Sequence, residues 1–220
     1  MGIKFNFLSR KHGHAVFISW VILLSSFLSS SLVNAEIHTN QELKQYISTS
    51  MNQLVVKLKE NKAVYEKDND LFYRDLNAEL SKVIDFRRIA LKVMGKYGRQ
   101  ASKAQRSKFI NTFKQSLYQT YAKVLLENNE VEITVINATM NPRNSKKAKV
   151  NIAIKSAGGA SYDVAYSLHK GKDLSYRVEN IVVMGINLGL AYKDRFQQQV
   201  KAHKGDITKV IDNWTFDSAV

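Results

Sequence analysis

Residues 131–183 read "VEITVINATMNPRNSKKAKVNIAIKSAGGASYDVAYSLHKGKDLSYRVENIVV", and the spacing of their apolar residues decides the fold class. Val131, Ile133 and Val135 alternate with other positions in the first run, and Val150, Ile152 and Ile154 do so in the second. Tyr162, Val164, Tyr166 and Leu168 continue the pattern in the third. A period of two brings every such residue to one face of a pleated strand. "YRVENIVV" is a fourth candidate strand, less regular and more apolar toward its end. The connections "NPRNSKK", "SAGGAS" and "HKGKD" are rich in turn residues and short enough for hairpins. A four-stranded antiparallel meander is expected.

Upstream of this block the period is near 3.6. "TNQE", Thr39 to Glu42, fits a capping box, and Leu43, Tyr46, Ile47, Met51, Leu54, Val55 and Leu58 follow at helical spacing. A second helix is predicted from about Asp70 to Ile84, and Asp85 caps a third that Gly95 ends. Ser102 and Gln105 repeat the capping-box pattern before a long helix with Phe109, Phe113, Leu117, Tyr121 and Val124 along one stripe. Beyond the strands, "AYKDRFQQQVKAH" returns to a helix, Gly205 breaks it, and "DITKVIDNW" forms a last short one. The fold expected is α+β, with helices packed on one side of the four-stranded sheet.

The first 35 residues have a separate logic. Lys4, Arg10 and Lys11 precede the apolar run "AVFISWVILLSSFLSSSLV", and "VNA" supplies small residues before a cut between Ala35 and Glu36. That is the layout of a secretory signal peptide. The other reading is an uncleaved anchor, against which the serine-rich second half and the small-residue exit both argue. The expected organisation is a signal peptide over residues 1–35 and a single domain over 36–220. No second apolar run of about eighteen residues follows. The absence of cysteine excludes disulfides, thiol chemistry and lipid attachment through a thiol.

The chain is formally +14, and loss of the three leader cations leaves +11. Such a balance suits nucleic acid, anionic headgroups or acidic protein faces. Between Met94 and Phe109 stand Lys96, Arg99, Lys103, Arg106 and Lys108 with no acid among them, and Tyr97 is interleaved. An exported protein rarely meets nucleic acid, so this stretch reads as a helix start facing other anions. Catalytic patterns are missing. His38, His169 and His203 are not at metal-ligand spacing, with His169 in a predicted turn and His203 near a helix end, both expected to be exposed. There is no HExxH, GxSxG, phosphate loop or dinucleotide fingerprint. "AGGAS" lies between strands, as a hairpin turn does, and no spacing demands an acid–base pair of Asp163 and Glu179. No enzyme activity, metal or cofactor is expected. What is abundant is apolar material aimed inward from the long helix and the sheet, which builds either a filled core or a lined pocket.

Three segments resemble the MlaC-type, or toluene-tolerance, family of phospholipid shuttles. In residues 85–127 the matching positions are Asp85, Gly95, Tyr97, Arg99, Gln105, Arg106, Phe109, Phe113, Tyr121 and Ala122. "YRVENIVVMGINL" is similar to the family's last strand and its glycine turn at Gly185. "YKDRFQQQVKAHKGDITKVID" is similar to its closing helix, with Tyr192, Phe196 and Gly205 in place. Asn180 stands where the family usually has aspartate, Met184-Gly185-Ile186-Asn187 replaces its Glu-Gly-Val-Ser, and Tyr192-Lys193 replaces its Tyr-Arg.

The resemblance implies a periplasmic carrier, not an enzyme, whose apolar pocket holds a glycerophospholipid. It would pass lipid between an outer-membrane lipoprotein complex and an inner-membrane ABC transporter complex, maintaining outer-membrane asymmetry. The acyl tails are expected between the long-helix stripe and the inward sheet face, at Phe113, Leu117, Tyr121, Val135, Ile152, Val164 and Tyr166. Arg99 and Arg106 are candidates for the headgroup rim or for docking, and Tyr97 for packing. A hopanoid-type carrier of the same superfamily and an exported basic chaperone with a filled core are the alternatives.

Overall fold

The helix starts are set by short-range capping. In this computed structural model, Thr39 and Glu42 form the expected box. Thr39 Oγ1 accepts from the Glu42 N–H at 3.1 Å, and Glu42 Oε2 accepts from the Thr39 N–H at 3.1 Å. Helix α1, Asn40–Glu60, follows. A short turn α2, Lys62–Tyr65, leads to α3, Asn69–Val83, which Asp68 caps at the Leu71 N–H. Asp85 caps α4, Phe86–Met94, at the Arg88 N–H, and Gly95 ends it with φ 55°. One further turn, α5, Tyr97–Gln100, precedes α6, Lys103–Glu127, whose start carries the Ser102–Gln105 box. Late in the chain come α7, Leu188–Ala202, and α8, Ile207–Asp212.

The described residues are 37–127, 132–155 and 159–216, without the side chains of 121–127. The leader, Val131 and the side chains of Tyr121 and Val124 therefore lie outside them. Among the described residues, no helix is long and apolar enough to cross a membrane.

The sheet has five strands, not the expected four: β1 Glu132–Met140, β2 Lys147–Lys155, β3 Ser161–Lys170, β4 Tyr176–Val183 and β5 Ile186–Asn187, in that order. All neighbours are antiparallel. Two residues are too few for a period to show in the sequence. The fifth strand exists because Met184 and Gly185 both have positive φ, which folds the chain straight back so that Val183 pairs with Ile186. His169 also departs from expectation. It sits within β3, paired with Lys147 and Arg177, and is half-buried rather than in an exposed turn.

Three apolar clusters hold the fold. The first is helical and aromatic: Phe109 and Phe196 have centroids 4.9 Å apart, Phe113 and Phe216 4.9 Å, Tyr192 and Phe216 4.5 Å. Trp214 and Phe216 come from the tail after α8, and Ser116 and Thr120 of α6 donate to their carbonyls at 3.0 Å each. The second joins one sheet face to Leu43 and Ile47 of α1. The third gathers Leu58, Tyr65, Phe72, Leu76, Leu80, Phe86 and Tyr118. Leu117 packs against the first and third clusters, and Ile84 against the second and third. Ile84 also bridges to Val178, and the Asp85 N–H donates to the Val178 carbonyl at 2.9 Å, so the α3–α4 corner is fastened to β4. α7 approaches β4 closely: a Cβ on Gly189 would stand 2.1 Å from Asn180 Oδ1, so any larger residue there would have to displace the Asn180 amide.

Candidate functional site

Strand alternation gives the sheet one apolar face, and the register orders it into rows. Ala148, Leu168 and Val178 form a buried row. Next come Ala138, Val150, Tyr166 and Ile181, then Val135, Ile152, Val164 and Val183. The last row is Ile133, Ile154 and Tyr162. Burial changes along this face. The first row is sealed, the Ile133 and Ile154 side chains are only half-buried, and Tyr162 is 45% exposed. Half-buried Tyr46, Met51 and Ile84 pack beside it, so this apolar face is buried at one end and reaches solvent at the other. The opposite face is polar, with Thr134, Lys149, Asn151 and Asp163 exposed.

Tyrosine hydroxyls belong to the apolar face, and that of Tyr166 is the most central. The Tyr166 hydroxyl is pushed up to about 12 by burial, and among the described residues it has no hydrogen-bond partner. Here a donor and acceptor stands inside an otherwise apolar surface, the pattern by which apolar pockets orient a ligand.

The structure brings Val135, Ile152, Val164 and Tyr166 together on this face. Phe113 lies elsewhere, in the aromatic cluster. Leu117 sits at the seam between the helical clusters. The backbone of Tyr121 continues the same helix, and its side chain is outside the described residues. Ile181 and Val183 of β4 join the face without having been singled out, because the fourth strand alternates poorly. Arg99 is exposed. Arg106 is occupied, its Nη1 donating to the carbonyls of Gly98, at 3.1 Å, and Ala101, which ties α5 to α6. Tyr97 packs on the aromatic cluster, 6.3 Å from Phe196.

A second feature escaped sequence reading altogether. Ser167 pairs with Asn180 and Leu168 with Val178, so Glu179 is the extra residue of a β-bulge. It is only 6% exposed. Lys147 bonds its Oε1, while Lys92 and Arg88 stand 3.0 and 3.6 Å from its Oε2. Burial pushes the carboxyl up, but Lys147 and Lys92 outweigh it and hold it below the usual carboxylate range. Nearby, burial together with Arg88 and Lys147 holds the His169 imidazole below its usual range. The Nδ1 of His169 is buried with no partner among the described residues. Glu179 is thus committed to cations, while Asp163 is exposed on β3. Among the described residues no group of His, Asp and Glu is placed to hold a metal ion.

Compared with known proteins, the family model described as MlaC protein matches residues 48–215. The toluene tolerance protein ttg2D of Pseudomonas putida is 33% identical over 201 residues, covering 90% of this chain and 89% of that protein. The phospholipid-binding protein from Ralstonia solanacearum, solved in complex with a phospholipid, superposes with a TM-score of 0.69 at 17% identity. That superposition covers 77% of this chain and 92% of the other, and speaks for the fold alone.

Proposed function

Since this chain belongs to the MlaC family, we propose that it is a periplasmic phospholipid carrier and not an enzyme. After removal of residues 1–35 it would shuttle lipid between an outer-membrane lipoprotein complex and an inner-membrane ABC transporter complex, maintaining outer-membrane asymmetry. The observation that carries this reading is the apolar sheet face, buried at one end and exposed at Tyr162, with the unbonded hydroxyl of Tyr166 on it. Burial of an acyl chain is worth about 0.8 kcal/mol per CH₂, so a sixteen-carbon tail gains roughly 10 kcal/mol before ordering costs. Such a ligand asks for depth and apolar lining, not reactive groups.

The tails are assigned to Val135, Ile152 and Val164 on the sheet face that α1 covers, while Phe113 and Leu117 hold α6 in the helical clusters. Tyr166 would bond an ester or phosphate oxygen. Exposed Arg99 is the better candidate for headgroup or partner contact, and Arg106 would hold the turn that presents it. Native mass spectrometry of the mature protein purified without detergent, with lipid extraction, tests the proposal. Near-stoichiometric glycerophospholipid is expected. A polycyclic lipid would reassign the cargo to hopanoids. An apo mass that persists after incubation with phospholipid vesicles and bacterial lipid extract would favour a filled-core interaction protein.

A further inference from the structure

At the exposed end of the apolar face, large apolar side chains stand in solvent beside Tyr162: Met184 is 59% exposed, Ile186 50% and Leu190 52%. They are neighbours. The Met184 N–H donates to the Asp163 carbonyl at 2.9 Å, and the Asp163 N–H donates to Met184 Sδ at 3.4 Å. Ile186 pairs with Val183 across the two-residue tip, and the Leu190 N–H donates to Asn187 Oδ1 at 3.0 Å in the first turn of α7. Scattered apolar residues on a surface need no explanation, whereas a contiguous group marks an interaction site.

The backbone adds an independent observation. Met184 has φ 48° and Gly185 φ 84°. A two-residue hairpin with this pattern prefers Asn-Gly, because a longer side chain is strained at positive φ. Methionine here accepts that strain and is not buried in return, its sulfur gaining only the weak bond from the Asp163 N–H. The charges around the tip are mixed, with Lys155 and Lys193 against Glu132, Asp163 and Asp194. The Lys193 stem lies over Gly95, next to Lys96 and exposed Arg99. Without the three leader cations the formal charge is still +11.

We infer that the Met184–Ile186 tip, with Leu190 and Tyr162, is a wedge that enters the surface of an anionic phospholipid membrane and sets the exposed end of the apolar sheet face against it. The inference rests on the carrier reading. Apolar side chains on a rigid hairpin can sink to the boundary between headgroups and acyl chains while the lysine stems reach back to phosphate. The excess of positive charge draws the protein to an anionic leaflet. A lipid surface also suits a convex tip, which would otherwise need a matching pocket on a protein.

The chain has no cysteine, so Met184→Cys carries a polarity-sensitive fluorophore at one place, with Asn151→Cys on the polar sheet face as the control. Vesicles of phosphatidylethanolamine with phosphatidylglycerol should blue-shift the label at position 184 and leave that at 151 unchanged. The unlabelled Met184→Asn/Ile186→Thr variant, whose asparagine accepts positive φ, should stay folded and partition about tenfold more weakly. If the protein holds lipid by native mass spectrometry but the label at 184 stays in water, the wedge is wrong and the carrier reading stands. If both labels shift alike, the contact is general adsorption and the wedge is again wrong. If no lipid is held, the carrier reading falls and the wedge with it.

Discussion

Glu179 and His169 make the stability of this protein depend on pH through single residues. Both groups titrate below their ordinary values when folded. A depressed value means the unfolded chain binds protons more readily, so the stabilisation is present at higher pH and is lost on acidification. The His169 contribution is complete above its unfolded value of about 6.5 and fades as pH falls below it. The Glu179 contribution follows below about 4.3. Denaturation midpoints should therefore fall from near-neutral pH downward, and His169→Gln should flatten the first part of that fall. An unchanged pH profile in the variant would mean that the imidazole titrates normally. Tyr166→Phe tests the other unusual residue. Removing a hydroxyl with no partner should leave the lipid-free protein as stable or better by up to about 1 kcal/mol, while the amount of co-purified lipid falls. Unaltered lipid content would show that the hydroxyl contributes nothing to retention.

At the scale of elements, α6 is held in two different ways. Its start depends on the Ser102–Gln105 box, and its middle is clamped to the tail by Ser116, Thr120, Trp214 and Phe216. Ser102→Ala should cost about 1 kcal/mol, the usual loss of one cap. Trp214→Ala should cost about 3–5 kcal/mol, because a buried indole is replaced by a cavity. Urea denaturation of the pair would measure both. Equal losses would mean that the tail is not an anchor. The caps themselves were legible: Thr39, Asp85 and Ser102 each act where the sequence places them. Trp214 and Phe216 were not, since nothing local to two aromatics after a short helix says which earlier helix they return to. The bulge at Glu179 was equally hidden, because it depends on how β4 pairs with β3 rather than on its own residues.

For the whole molecule, the proposed carrier role makes stability and loading inseparable. A ligand that binds only the folded state raises stability in proportion to the logarithm of its excess over the dissociation constant, about 2.7 kcal/mol at a hundredfold excess. Stripping lipid should lower the melting temperature, and re-adding phospholipid should restore it. A stripped protein that melts as before would place the ligand outside the folded core. The comparison must use material treated identically, because a carrier taken directly from cells is expected to arrive loaded.

By itself, the sequence determined what depends on near neighbours. The helical and two-residue periods, the capping chemistry and the turn residues act within about four positions. They give the α+β order and place Val135, Ile152, Val164 and Tyr166 on one strand face. Tertiary structure alone decided which helix covers that face. It is α1, while Phe113 is drawn into an aromatic cluster with Phe196, Trp214 and Phe216. It also decided that the face is buried at Leu168 and exposed at Tyr162, and that a two-residue fifth strand turns Met184 outward. These outcomes follow from contacts between residues many tens of positions apart, and no local period records which distant surface will be met.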